Sequence, residues 1–287
     1  MIYKLLALNI DGTLLQDNGR INKVTRDAID YVNDKDVKII VSTSRNFPAA
    51  KRVAKLLKIK EHIISHQGAF IGKELDKPVF VRRISENITG EMLGLLESFS
   101  CQIKVIHEEL MFANKMNLPN QLTGRVVFQK ANRIAYSEQY VDNLQESFQQ
   151  NPVSPMMIDV LFEHKHDRED AIKVIDEMYD EVECIKSNPL RLMIVPKMVS
   201  KLTGVQFLCE HHGIKREEVV AIGSDFDDLP LIQWAGLGVA MGNAPLKVRN
   251  EANWVTRSYE DNGVAYMVKE HFRKQHRLGF LRNILKE

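Results

Sequence analysis

Four apolar runs each lead into residues able to handle a phosphate group. The run 5–8 leads into Asn9-Ile10-Asp11-Gly12-Thr13, and the run 37–41 into Ser42-Thr43-Ser44-Arg45. A third run ends at Pro196 and is followed by Lys201, and the run 219–222 leads into Gly223-Ser224-Asp225-Phe226-Asp227-Asp228. Carboxylates can hold a hard cation or move protons. Hydroxyls and the N–H groups of a tight Gly turn can hold phosphoryl oxygens. One ammonium can neutralise the group being transferred. Each cluster also has an ordinary explanation: an Asp-Gly turn, a Ser/Thr helix cap, a solvated lysine, an acidic helix start. Four together fit a metal-assisted phosphate site better than four coincidences.

Such residues converge only if the strand ends converge. Strand and helix signals alternate at both ends of the chain. Residues 5–8, 37–42 and 62–65 read as short strands, buried on both faces in the first case. Between them, Asn22 is placed to cap a helix with a stripe of Val24, Ala28, Ile29 and Val32. A second helix carries Phe47, Ala50, Val53, Ala54 and Leu57, with Pro48 in its first turn. The last third repeats the pattern: a helix from about 199 to 212 closed by Gly213, strands at 219–223, 238–241 and 253–256, and short helices after Asp228 and Pro245. This alternation favours a parallel sheet covered by helices. The middle, roughly 84 to 190, differs, with helix signals at 86–98 and 167–179 and strand signals at 102–107, 110–114, 124–129 and 156–162, and a further strand signal at 191–195 leads back into the core. The middle reads as an α+β insertion.

The 287 residues suit one large or two medium domains. Lys+Arg 39 against Asp+Glu 38 argues against a nucleic-acid protein. Cys101, Cys184 and Cys209 have no CxxC spacing, so a reducing cytoplasm is expected. No apolar run reaches the ~18 residues of a membrane span, and none at the N-terminus is long enough for a signal peptide.

The motifs NIDGTLL (9–15), STSR (42–45), SHQGAF (65–70), VPKMVSK (195–201), IGSDFDDLPLI (222–232), GVAMGNA (238–244) and EDNGVA (260–265) follow in specific order. With them the chain resembles the haloacid-dehalogenase-like (HAD) superfamily, in the Cof-type (subclass IIB) branch of sugar-phosphate phosphatases. The resemblance implies an α/β fold. A Rossmann-like parallel-sheet core at 1–83 and 191–287 would carry an inserted, mobile α+β cap domain at 84–190 that selects the substrate. It further implies a Mg2+-dependent phosphohydrolase acting on small phosphorylated metabolites. Another divalent ion such as Ca2+ could take the same site. Arg125 and the stretch 112–116 are candidates for substrate contacts in the cap. A homodimer is among the expected assemblies.

In the family an aspartate at the position of Asn9 attacks phosphorus, and a second, matched by Asp11, protonates the leaving alcohol and later activates water. These two are the catalytic positions. Gly12, Thr43, Ser44, Lys201 and Asp227 fall on the phosphate side. Asn9, Asp11, Ser224 and Asp228 fall at metal positions, with Asp225 the replacement for the aspartate that Ser224 displaces. Gln67 stands where an asparagine is typical. A carboxamide oxygen is a poor nucleophile, so Asn9 should cost roughly 10⁴–10⁶ in kcat by the family's usual route. Four carboxylates nonetheless remain, Asp11, Asp225, Asp227 and Asp228, and left unpaired in one pocket they would need a cation. Three functions follow: a phosphohydrolase of low or altered activity, an inactive pseudo-phosphatase that binds a phosphorylated metabolite, or a protein-interaction module.

Two features lie outside this scheme. His211-His212 reads as a helix C-terminus favoured by the dipole, and His164-x-His166 as a turn. The basic, apolar tail 271–287 reads as a segment packing on its own core or on a second subunit.

Overall fold

The structure is a computed structural model that describes residues 2–108, 110–115 and 137–279. The chain divides into two compact units, Met1–Lys77 with Ser200–Glu287, and Pro78–Val199. The first opens with Leu5–Leu8 (β1), Lys23–Asn33 (α1), Lys38–Ser42 (β2), Phe47–Leu56 (α2), Ile63–Ser65 (β3) and Phe70–Glu74 (β4). Every residue of β1 is buried, as a strand covered on both faces requires. The Asn22 side chain accepts a hydrogen bond from the Thr25 N–H at 2.7 Å and caps α1. The buried stripe of α1 is Thr25, Ile29 and Val32, whereas Val24 is 52% exposed. The expected stripe is therefore corrected by one position: spacing of four and three from Thr25 defines the inner face, and Val24 falls off it. Asn46 caps α2, with Pro48 in the first turn.

Lys77–Val81 (β5) spans the division between the units, and the second unit continues from it. Its elements are Glu86–Leu96 (α3), Cys101–Ile106 (β6), Leu110–Asn114 (β7), Ser137–Val141 (β8), Leu144–Gln150 (α4), Met157–Phe162 (β9), Lys165–Met178 (α5), Val182–Lys186 (β10) and Arg191–Pro196 (β11). The sheet order is β10-β11-β9-β6-β7-β8, antiparallel except for β7 with β8. Met92, Leu96, Ile103, Val160, Phe162 and Ile172 join helices to sheet in this unit's own core. Phe112 packs against that core, while Arg125, Met116 and the strand expected at 124–129 lie outside the described residues. The strand at 191–196 was expected to rejoin the first unit. It pairs instead with β9 and β10, so the junctions fall at 77/78 and 199/200 rather than 83/84 and 190/191.

The chain re-enters the first unit through Lys201–His212 (α6), Val219–Gly223 (β12), Leu229–Trp234 (α7), Leu237–Ala240 (β13), Leu246–Glu251 (α8), Trp254–Val255 (β14) and Gly263–Phe272 (α9). Gly213 closes α6 at φ 62°. The strand order β14-β13-β12-β1-β2-β3 is parallel throughout, and β4 runs antiparallel to β3. This is an α/β, Rossmann-like core with an inserted α+β cap domain. The start of the tail packs on the same core: Gln275 bonds Tyr3 in both directions at 2.8 Å, and Phe272 and Leu278 are buried. Among the described residues no helix is long and apolar enough to cross a membrane.

Candidate active site

In a parallel sheet, loops at the carboxyl ends of the strands share one edge. The turns after β1, β2, β3 and β12 all lie within the first unit, and α6 brings Lys201 to them. Ser200 sets the start of that helix through a reciprocal cap. Its hydroxyl accepts from the Thr203 N–H at 3.1 Å, and the Thr203 hydroxyl accepts from the Ser200 N–H at 2.9 Å. Gly68, at φ 108°, permits the close approach beneath this cap, since a Cβ there would meet the Ser200 carbonyl oxygen at 2.3 Å.

Lys201 is the centre of the cluster. Its side chain is 1% exposed, and its ammonium lies 2.9 Å from Asp227 Oδ2 and 2.6 Å from Asp228 Oδ1. Burial works to lower its pKa, but the two carboxylates overcome that and raise it, so the ammonium stays charged. Burial raises the Asp228 carboxyl in turn. That carboxylate nevertheless also accepts from Asn9 Nδ2 at 2.9 Å, the Ser224 N–H at 2.8 Å and the Asp225 N–H at 3.1 Å. With three such donors beside the lysine, the ionised pair is the form the geometry supports. Asp227 also accepts from Gln67 Nε2 at 2.7 Å. Asp225 differs: burial, then repulsion from Asp227, pushes its carboxyl up to about 7.

Asn9 is buried, and its bonds fix its orientation. The carboxamide oxygen accepts from the Ile10 N–H at 2.7 Å. The nitrogen donates to Asp228 and, at 3.2 Å, to the main-chain carbonyl of Asp11. The Ser224 hydroxyl donates to that same carbonyl at 3.0 Å. Asn9 and Ser224 thus aim an N–H and an O–H group at one oxygen. Gly12, at φ 66°, makes the turn tight enough for this, since a Cβ there would lie 2.5 Å from Ser224 Oγ.

Asp11 points differently. Its side chain is 50% exposed and takes a two-pronged bond from Arg45, Nε to Oδ2 at 2.7 Å and Nη2 to Oδ1 at 2.6 Å. Thr43 is fully buried, and its hydroxyl accepts from the Arg45 N–H at 3.2 Å. Ser44 is half-buried in the same loop. All ten expected site residues therefore fall in one unit. Hydrogen bonds join Asn9, Asp11, Lys201, Ser224, Asp225, Asp227 and Asp228, while Gly12, Thr43 and Ser44 lie in the loops beside them. Two contributors escape a reading by residue type. Arg45 ends the STSR motif, and its planar fork matched to a carboxylate was the available signal. Asn243, within GVAMGNA, donates to the Gly12 carbonyl at 2.9 Å and accepts from the Tyr259 N–H at 3.2 Å.

Known proteins identify the family. The family model described as haloacid dehalogenase-like hydrolase matches residues 6–268. Stress response protein YhaX of Bacillus subtilis (strain 168) is 42% identical over 281 residues, covering 98% of this chain and 97% of its own length. Putative phosphatase YxeH of the same organism is 29% identical, covering 94% of this chain and 98% of its own. Among solved structures, the HAD subclass IIB sugar phosphatase BT4131 superposes with a TM-score of 0.78 at 20% identity, covering 94% of this chain and 98% of that one. The chain belongs to the haloacid dehalogenase-like hydrolase family, whose members include phosphatases, and it has the fold of the subclass IIB branch.

Proposed function

We propose that the strand-end site takes the phosphoryl group of a small phosphorylated metabolite and hydrolyses its monoester slowly, with no aspartyl-phosphate at residue 9. One observation carries this: the Lys201 ammonium, held charged and immobile between Asp227 and Asp228. Phosphoryl transfer asks of a protein mainly position and electrostatic stabilisation. Lys201 supplies the positive charge, Thr43 and Ser44 hydroxyls, and the Gly12 turn its N–H groups. A phosphate dianion offers Arg45 the same two-pronged geometry that Asp11 does. An arriving ester would compete for the guanidinium and free the Asp11 carboxylate to take a proton from the water whose oxygen bonds phosphorus, while the ester P–O bond breaks and the departing alkoxide takes up a proton from solvent. Asn9 cannot be the nucleophile, because its amide oxygen is neutral and already accepts from the Ile10 N–H.

Mg2+ is the cofactor that the family implies. It requires oxygen lone pairs in octahedral array. The residues in their present arrangement do not fit that demand. Asn9 turns its nitrogen, not its oxygen, toward Asp228 and the Asp11 carbonyl, and Ser224 donates its proton to that carbonyl. Nor do the four carboxylates require a metal for compensation. Arg45 pairs with Asp11, Lys201 with Asp227 and Asp228, and a pKa of about 7 lets Asp225 take up a proton. No step of the proposed chemistry passes through a metal.

The same site favours a second function, capture of the ester without turnover, since Asn9 cannot form the covalent intermediate while Lys201 still offers its positive charge to a phosphate. Phosphate release from a panel of small phosphomonoesters, with equilibrium binding measured alongside, separates the two. Slow release abolished by Asp11→Ala supports hydrolysis. Tight binding with no release supports capture. A chain that neither binds nor cleaves any ester, or whose Lys201→Met variant does so equally well, overturns both. The free thiols of Cys101, Cys184 and Cys209 suit the reducing cytoplasm in which we place the protein.

A further inference from the structure

At the opposite end of the same sheet, a cluster of ligating side chains takes no part in the strand-end site. Glu61 and His62 immediately precede β3, and His211 and His212 end α6. One ligand atom from each of Glu61, His62 and His212 lies within 4.8 Å of the others. His62 is 9% exposed, and its Nδ1 is buried with no hydrogen-bond partner. His212 Nε2 is likewise buried and unbonded, 3.7 Å from Glu61 Oε2. Among the described residues, Glu61 bonds Lys38 through its other oxygen, Oε1, at 2.7 Å, which leaves Oε2 facing His212. The exposed ring of His211 meets His212 edge-on, with centroids 5.1 Å apart.

An unbonded imidazole nitrogen on a buried face can offer its lone pair to an ion once the ring's proton sits on the other nitrogen. Two of them, converging with a free carboxylate oxygen, form the donor set that divalent transition ions prefer. Tetrahedral Zn2+ with N and O ligands at about 2.0–2.2 Å needs donors roughly 3.3 Å apart, so side-chain adjustment of about 1 Å closes the site. Mg2+ and Ca2+ demand oxygen sets and are disfavoured by two histidines. We propose that Glu61, His62 and His212 bind a divalent transition ion of the Zn2+ class, with water or His211 in the fourth position.

Such an ion would clamp the far ends of two elements whose near ends carry the phosphate site. β3 leads into Gln67, and α6 begins at Lys201. The two already pack closely, since a Cβ on Gly204 would lie 2.8 Å from Ile64 Cγ2. At ~1.5 Å per residue the twelve residues of α6 place the cluster about 18 Å from the helix start, so the two sites can be told apart.

The experiment uses the full chain, stripped with EDTA and titrated with Co2+ as a spectroscopic stand-in for Zn2+. We expect one equivalent bound, with the visible ligand-field bands of a tetrahedral ion. Glu61→Gln and His212→Gln should each weaken binding more than tenfold, and Asp225→Asn in the acidic loop should leave it unchanged. Zn2+ at a hundredfold excess over Kd should raise the Tm by about 5 °C in wild type but not in His212→Gln. His62 is buried and its variants risk misfolding, whereas Glu61 and His212 are partly exposed and keep the test sound. Absence of the bands, their persistence in a Glu61→Gln/His212→Gln double variant, or their loss in Asp225→Asn would each overturn the proposal.

Discussion

Replacing Asn9 by aspartate would add a negative charge at a point where the chain has arranged to have none. Asn9 Nδ2 lies 2.9 Å from Asp228 Oδ2, and both residues are buried. The exchange sets oxygen against oxygen. Two carboxylate centres about 4 Å apart at an effective dielectric of ~20 repel by about 4 kcal/mol. The lost donor bonds to Asp228 and the Asp11 carbonyl add about 1 kcal/mol each, and attraction to Lys201 offsets a similar amount. We therefore expect Asn9→Asp to lose about 4 kcal/mol at pH 8 in EDTA. The variant can escape by taking up a proton. A penalty of that size raises one carboxyl of the pair by about 3 pH units over its unfolded value. A raised carboxyl pKa means that the folded state binds more protons than the unfolded state in between. The loss is then full above the folded pKa and vanishes below the unfolded one, near pH 4. Urea unfolding at pH 8, 6 and 4 should show the gap to wild type closing as pH falls. Added Mg2+ should restore the variant at pH 8 and leave wild type unmoved, because only the variant offers the missing oxygen. A variant as stable as wild type at pH 8 in EDTA, or an equal response of both to Mg2+, would refute the assignment of Asn9 and Ser224 as donors in place of a cation.

Other perturbations test other parts of the site. Lys201→Met leaves Asp227 and Asp228 buried without their cation, so denaturant unfolding should show a loss of about 3–5 kcal/mol, and binding of inorganic phosphate should disappear. Asp225 has its folded carboxyl at about 7, above the unfolded value, so its ionised form destabilises the fold above pH 7 and not below about 4. Asp225→Asn should therefore exceed wild type by about 2–4 kcal/mol at pH 8 and match it near pH 4 in the same assay. Gly68→Ala forces a side chain into the left-handed region and into the Ser200 carbonyl. Strain alone should cost about 1–3 kcal/mol by denaturant unfolding, and ester affinity should fall because the cap of Lys201 shifts.

The fold was legible wherever burial imposes a period. β1 and β12 are apolar at every position because helices cover both faces, and Asn22, Pro48 and Gly213 mark helix ends by local chemistry alone. The misses have a common cause. A one-residue error at Val24 turns a stripe by only 100°, too small a signal in an eleven-residue helix. The strand 191–196 is equally apolar in either sheet, and only its pairing with β9 and β10 decides which. β10 and β5 have almost no buried residues, and β4 is buried only over its first three, so each carries little pattern. At the site, residue type and spacing brought the right groups to one sheet edge but could not tell a donor from an acceptor. Four carboxylates counted along the chain suggested a bound metal. In three dimensions Arg45 and Lys201 pair with three of them, and burial lets the fourth take up a proton. The direction of the Asn9 amide follows from the Ile10 N–H at its oxygen, a contact that no motif encodes. Likewise His211-His212 is an ordinary basic helix end until the turn before β3 delivers Glu61 and His62 to it. Asn9 and Ser224 act on one acceptor, the Asp11 carbonyl. Each places a proton against that oxygen where a carboxylate would place a lone pair, so in EDTA an aspartate at both positions should destabilise the fold more than one at either, and Mg2+ should recover more stability in the double variant than in either single one.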